Sequence, residues 1–329
     1  MKIAVLGAGA WGTALGVALA GRHEVTLWAR DGAHASAIDR ARRNERYLPE
    51  IALPDSLRVT GSLDVALHAP TLVILAATVS GLRPLATELR DRGTSAPFLW
   101  LCKGFEEGSG CLPHEVVDAV FGNPSVPCGA LSGPSFAIEV AQGLPCALTL
   151  ASADGGFASA TAAGLHGGRL RIYYSTDLTG VEIGGAVKNV LAIAVGISDG
   201  MGLGQNARAA LVTRGLAEIQ RLGIAMGAKS ETIMGLTGAG DLILTATGSL
   251  SRNRRVGLEL AQGRALDAIL DGLGHVAEGV RSAREAERLA ACHGVDMPIT
   301  QAVNAVLAGG TSPRDALEML LSRDPKSEG

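Results

Sequence analysis

Gly7-Ala8-Gly9-Ala10-Trp11-Gly12 lies between an apolar run, Lys2 to Leu6, and a helical stretch, Thr13 to Ala20. A GxGxxG spacing framed by a strand and a helix suits a dinucleotide. Gly7 permits the tight turn, Gly9 lets backbone approach a pyrophosphate, Gly12 lets helix pack on strand, and the helix N-terminus faces the negative charge. At the end of the second strand Trp28-Ala29 is followed by Arg30, with Asp31 beyond it. A carboxylate there usually holds the ribose of NAD, whereas Arg30 can accept the 2′-phosphate of NADP. A solvated arginine at a strand end fits the same residues, so the cofactor reads as NADP or NAD, with a lean to NADP.

Substrate chemistry in an open parallel sheet belongs beyond the carboxyl ends of its strands. Lys103-Gly104 ends the apolar run Pro97 to Cys102, and Gly133-Pro134-Ser135 closes the run Cys128 to Ser132, offering an ammonium, a hydroxyl and backbone amides to a polar ligand. In the second half, Glu182 to Ile193 places Lys188 in an apolar helical stretch with Gly184 one turn before it and Ala192 one turn after. Another chain or ligand can approach such a stem, and desolvation would draw the lysine toward neutrality, where it can give or take a proton. Alone, it also fits a lysine snorkelling to solvent. Thr237-Gly238-Ala239-Gly240-Asp241-Leu242 reads as a glycine-rich bend ending in a carboxylate, which can pair with a buried lysine or cap a helix. Ser251-Arg252-Asn253-Arg254-Arg255 gathers hydroxyl, guanidinium and amide groups suited to a phosphate dianion, with Arg254 and Arg255 assigned to a solvated face.

The elements that must position these groups change character along the chain. The first half reads as strands over Lys2 to Leu6, Glu24 to Trp28, Thr71 to Ala76, Pro97 to Cys102, Cys128 to Ser132, Cys146 to Leu150 and Leu170 to Tyr174, alternating with helices. That is the pattern of a parallel sheet covered on both faces. After Tyr174 every periodic segment reads as helix, and Ser312-Pro313-Arg314-Asp315 marks the start of the last one. The fold class is therefore α/β, a Rossmann-like parallel-sheet domain over 1–178 followed by an all-helical domain over 179–329.

A length of 329 residues suits two domains. Hydrophobic residues reach 47% but aromatics only 3%, with 44 glycines, so close backbone packing must fill the interior. A formal net charge of −3 gives no reason to expect nucleic acid as a partner, and any phosphate site must be local. Five cysteines without CxxC spacing suggest neither a disulfide framework nor a metal site. The glycines in the opening stretch argue against a secretory signal, and no other run is expected to approach the ~20 apolar residues that span a bilayer. A cytoplasmic protein without membrane insertion follows.

The motifs GAGAWGTALG, CKGFE, SGPSFAIEVAQGLP, GGAVKNVLAIAVGISDG, GAGDL, SRNRRVG and VAEGVRS occur in the order and spacing of one family. Over essentially its whole length the chain resembles the bacterial-type NAD(P)-dependent glycerol-3-phosphate dehydrogenases. The resemblance implies a C-terminal domain like that of 6-phosphogluconate dehydrogenase, a site between the domains, a homodimer, and reduction of dihydroxyacetone phosphate to glycerol 3-phosphate for phospholipid synthesis. It implies Lys188 as general acid/base, with Lys103, Gly133, Ser135, Asp241, Ser251, Arg252 and Asn253 around the substrate. Ala10, Trp11, Arg30, Lys103, Ala137, Arg252, Val276 and Glu278 are similar to the family's cofactor contacts. Two places depart: Ala10 stands where many relatives carry Ser, and Ala76-Ala77-Thr78 replaces a pattern that commonly contains Val-Pro-Ser. A 3-hydroxyacid dehydrogenase shares the two-domain plan but binds a carboxylate and needs no Ser-Arg-Asn cluster. A non-catalytic NAD(P)-binding sensor needs neither the acid/base lysine nor the phosphate set.

Overall fold

The computed structural model describes residues 1–122, 126–273 and 277–324. Its chain divides into two compact units, Met1–Glu106 with Cys111–Glu182, and Glu107–Gly110 with Ile183–Gly329.

In the first unit the strands are Lys2–Leu6 (β1), Glu24–Trp28 (β2), Arg43–Asn44 (β3), Leu48–Ala52 (β4), Leu57–Thr60 (β5), Leu72–Leu75 (β6), Phe98–Trp100 (β7), Cys128–Ser132 (β8), Cys146–Ala151 (β9) and Leu170–Ser175 (β10). Helices Ala10–Ala20 (α1), Gly32–Ala41 (α2), Leu63–Ala66 (α3), Val79–Asp91 (α4), Pro113–Phe121 (α5), Ala137–Ala141 (α6) and Gly155–Leu165 (α7) connect them. Eight strands form one sheet in the order β10-β9-β8-β7-β6-β1-β2-β5. The period of two in β1 and β6 sends Ile3, Val5, Leu72 and Ile74 to one apolar cluster and Ala4, Leu6, Val73 and Leu75 to the other. Strands covered on both faces in this way read as continuous apolar runs.

β1 is flanked by β2 and β6, both parallel to it, so successive strands leave it in opposite directions. The crevice at this switch point opens beyond the carboxyl ends of β1 and β6, which is where the glycine turn begins.

Two features of the sheet differ from the expectation. β8 and β9 pair antiparallel, because the connection over 133–145 holds only the five-residue α6 and turns the chain back instead of carrying it across the sheet. β3 and β4 form a separate antiparallel hairpin, and β5 is an edge strand with Arg58 exposed; none of the three carries a long buried run, so periodicity did not reveal them.

The second-unit helices are α8 (Leu178–Gly200, which passes the division after Glu182), α9 (Gly204–Ala225), α10 (Ser230–Ile233), α11 (Asp241–Thr247), α12 (Arg252–Ala261), α13 (Leu266–Leu273), α14 (Glu278–Cys292), α15 (Pro298–Leu307) and α16 (Pro313–Leu321). Ser312 caps α16 by accepting from the Asp315 amide, with Pro313 at the first helical position. The expected bend over 237–242 is instead a π-helical turn, Leu236–Gly240, running into α11. Among the described residues one helix, α8, is long and apolar enough to cross a membrane, contrary to the expectation that no such run exists; 94% of its apolar window is buried inside the protein, as in a core helix.

Candidate active site

The glycine turn is a backbone cradle. Gly7 has φ +130°, and a Cβ there would stand 2.2 Å from the Ala76 carbonyl oxygen. A Cβ on Gly12 would come within 2.0 Å of the Gly7 carbonyl oxygen and 2.7 Å of the Ala76 Cβ, so β1, α1 and the end of β6 close on one another only through glycine. Ala76, one of the positions that depart from the family pattern, is thus the floor against which the turn packs. By contrast a Cβ on Gly9 would meet nothing within 4 Å, leaving open space over the turn. Ala10, Trp11 and Gly12 form the first turn of α1, which has no side-chain cap and no acidic residue. Its amides therefore face outward with their partial positive charge, and the residues fit a pyrophosphate.

At the end of β2, Arg30 is exposed, while the Asp31 carboxylate accepts from the amides of Ala33 and His34 and caps α2. One oxygen of that acid, Oδ1, is thus committed to the helix cap. Arg30→Ala is expected to lower the ratio of NADPH to NADH efficiency, measured as kcat/KM for each; an unchanged ratio would remove Arg30 from selection.

Lys103 is half-buried, and its Nζ donates to the Gly133 carbonyl at 2.9 Å. Ser135 Oγ donates to the same oxygen at 3.1 Å, so the ends of β7 and β8 bring these three residues together. Ala137 opens α6 two residues farther on and packs against the apolar cluster beneath α1.

In the second unit Lys188 is 6% exposed, and its Nζ donates to Asp241 Oδ1 at 2.5 Å and to Thr245 Oγ1 at 3.0 Å. Thr245 Oγ1 in turn donates to the Asp241 carbonyl at 2.7 Å. The approach depends on Gly184, where a Cβ would stand 2.7 Å from the Thr237 carbonyl oxygen; the π turn packs directly on α8 and delivers Asp241 to the lysine. Asp241 is 1% exposed and is the first residue of α11. Thr245 escaped the sequence reading. Once α11 is known to start at Asp241, Thr245 lies four residues on, on the same face.

α12 begins in the basic cluster. Ser251 is its N-cap, its Oγ accepting from the Arg254 amide at 3.2 Å. Arg252 is exposed at the first helical position, beside amides that also favour an anion. Asn253 is buried; its Nδ2 donates to Asn189 Oδ1 at 2.9 Å and its Oδ1 accepts from the Gly279 amide at 3.0 Å. Asn189, another residue missed in the sequence, thereby links the neighbour of Lys188 to the first turn of α14. Glu278, half-buried, opens that helix, whereas Val276 lies outside the described residues. Arg254 departs from its assignment to a solvated face: it grips Asp199 at 2.6 Å, a carboxylate also bound by Arg208, and so ties α12 to α8. Arg255 is exposed and pairs along its own helix with Glu259.

Two family models match the chain, the N-terminus of NAD-dependent glycerol-3-phosphate dehydrogenase over residues 2–158 and its C-terminus over residues 177–318. The chain belongs to this family. It is 57% identical over 328 residues to a protein of Dechloromonas aromatica named glycerol-3-phosphate dehydrogenase (NAD(P)+), covering 100% of this chain and 99% of that one. A protein of the same name from a Janthinobacterium species is 56% identical over 331 residues, with 100% and 99% covered. The crystal structure of glycerol-3-phosphate dehydrogenase from Coxiella burnetii superposes with a TM-score of 0.91 at 40% identity, covering 98% of each chain.

Proposed function

We propose that this member of the family interconverts dihydroxyacetone phosphate and sn-glycerol 3-phosphate with NADPH or NADH, with Lys188 as the group that moves the proton. The observation that carries the reading is the buried Lys188–Asp241–Thr245 cluster, an ammonium held by one carboxylate and one hydroxyl inside an apolar helix.

The glycine turn of Gly7, Gly9 and Gly12 would hold the reduced dinucleotide, whose nicotinamide would supply the hydride that reduces the ketone. Lys188 Nζ supplies the proton to the oxygen that gains the electron pair, and takes it back in the reverse direction. Asp241 holds the Lys188 amine from one side, and Thr245 fixes the direction of Nζ. Arg252, with the amides at the start of α12 and the remaining donor of Asn253, holds the phosphate, while Lys103, Gly133 and Ser135 contact substrate. Binding the phosphate, remote from the reacting carbon, orients that carbon for transfer. Ser251 supports this set as the cap of α12.

Absorbance of reduced nicotinamide, followed after adding dihydroxyacetone phosphate, tests the reaction with each cofactor; no decrease with either would overturn it. Arg252→Lys is expected to raise the apparent KM for the triose phosphate more than it lowers kcat, because a point charge replaces a planar fork. Unchanged kinetics would place the phosphate elsewhere. A homodimer acting in the cytoplasm completes the reading, to be checked by light scattering and cell fractionation.

A further inference from the structure

The connection between β7 and α5 carries Lys103, and both its ends are held by one side chain. Trp100, the last residue of β7, donates its indole N–H to Glu182 Oε1 at 2.8 Å. His114, in the first turn of α5, donates its backbone N–H to the same oxygen at 3.0 Å, and its Nδ1 lies 2.5 Å from Glu182 Oε2. The Glu182 side chain is 2% exposed, on the first turns of α8. A carboxylate buried this deeply is costly unless its lone pairs are filled, and here three donors from two elements fill them. It also stands at the amide end of α5, where negative charge is favoured.

We propose that Glu182 is a positioning residue for Lys103, gripping at Trp100 and His114 the two ends of the connection from which that lysine projects. The inference rests on the reading of Lys103 as a substrate and cofactor contact. It adds a residue that touches neither.

The bridge between Glu182 and His114 gives the grip a pH dependence. Burial pushes the Glu182 carboxyl up, against the opposing pull of His114 and Trp100. Burial pulls the His114 imidazole down, but its hydrogen bond and attraction to Glu182, helped by Glu115 and Asp118, leave it above the ordinary 6.5. The thiol of Cys128 on β8, pushed up to about 12 chiefly by burial and further by Asp118 and Glu182, completes the titratable groups acting here. The folded value of His114 lies above its unfolded one, so its contribution is present below 6.5 wherever Glu182 is ionised and is lost as pH rises through the folded value, in a window above 6.5; toward low pH, protonation of the raised Glu182 carboxyl removes the charge pair from the other side.

The test uses the full chain with Glu182→Gln, Glu182→Ala, His114→Gln, Lys103→Ala and the Glu182→Ala/Lys103→Ala double variant. Each is characterised by kcat, KM and NADPH affinity from fluorescence, together with Tm, between pH 6 and 9. Glu182→Ala is expected to lower kcat/KM by roughly 10- to 100-fold, because displacing a contact by about 1 Å costs that much. In the Lys103→Ala background the same change should cost little, since its effect runs through the lysine. Glu182→Gln keeps acceptors for Trp100 and the His114 amide and should restore most of the activity, while flattening the decline of Tm above pH 6.5. Full additivity in the double variant, or a fall in Tm with normal kinetics, would reduce Glu182 to a structural role and overturn the proposal. Should Glu182→Ala not fold, the pH profiles of Glu182→Gln and His114→Gln decide, and curves parallel to the wild type count against it. If the wild type proves inactive on dihydroxyacetone phosphate, the functional reading fails by itself, and the NADPH affinities still test the coupling to Lys103.

Discussion

Lys188→Met is expected to bind reduced cofactor as the wild type does and to turn over dihydroxyacetone phosphate about 10²- to 10⁴-fold more slowly, the usual cost of losing a general acid. Methionine keeps an unbranched stem of similar length, so packing on α8 is preserved while the proton is removed. Cofactor titration by fluorescence separates binding from chemistry, and single-turnover absorbance measures the hydride step directly. Turnover near the wild-type rate would mean that the proton comes from another group. The variant should also melt earlier, because Asp241 then stays buried without the Lys188 ammonium.

Asp241→Leu is expected to destabilise the folded chain by about 3–5 kcal/mol, the cost of leaving one member of a buried ion pair unmatched. The ammonium of Lys188 would lose its 2.5 Å contact and keep the bond to the Thr245 hydroxyl. Activity should fall with it, since neither the charge state nor the direction of Nζ is then held. Combining Asp241→Leu with Lys188→Met separates the two effects: the double variant should recover much of the lost stability, because no charge is left unpaired, yet remain as slow as Lys188→Met alone. Denaturant unfolding and steady-state kinetics on the four proteins close the cycle. If stability losses simply add, the pair is not coupled as the 2.5 Å contact indicates.

Had the glycines been the only guide, the nucleotide turn would still have been found, because each acts on backbone within a few residues of itself. The spacing of Gly7, Gly9 and Gly12 was legible as a pyrophosphate cradle, and the structure adds that Ala76, just past the end of β6 and far along the chain, is the surface against which two of them close. Lys188 stood out as a charge in an apolar helix and Asp241 as a carboxylate able to meet it, but the contact spans 53 residues and depends on a π turn that sequence periodicity showed only as a bend. Thr245, Asn189 and Glu182 escaped for the same reason: each sits in an ordinary helical pattern and acquires its role from a partner brought by another element. Arg254 was misassigned because a run of arginines looks solvated until a buried carboxylate such as Asp199 is folded against it.

The amino-acid sequence by itself determined the strands with continuous apolar runs, the helical second half and the glycine turn between β1 and α1. These follow from side-chain period and backbone freedom, forces that act over one or two turns of chain. Only the tertiary structure decided that β9 runs against β8, and which donors meet the carboxylates of Asp241, Asp199 and Glu182. A buried charge must find its partner wherever packing delivers one, and packing is settled by the whole chain.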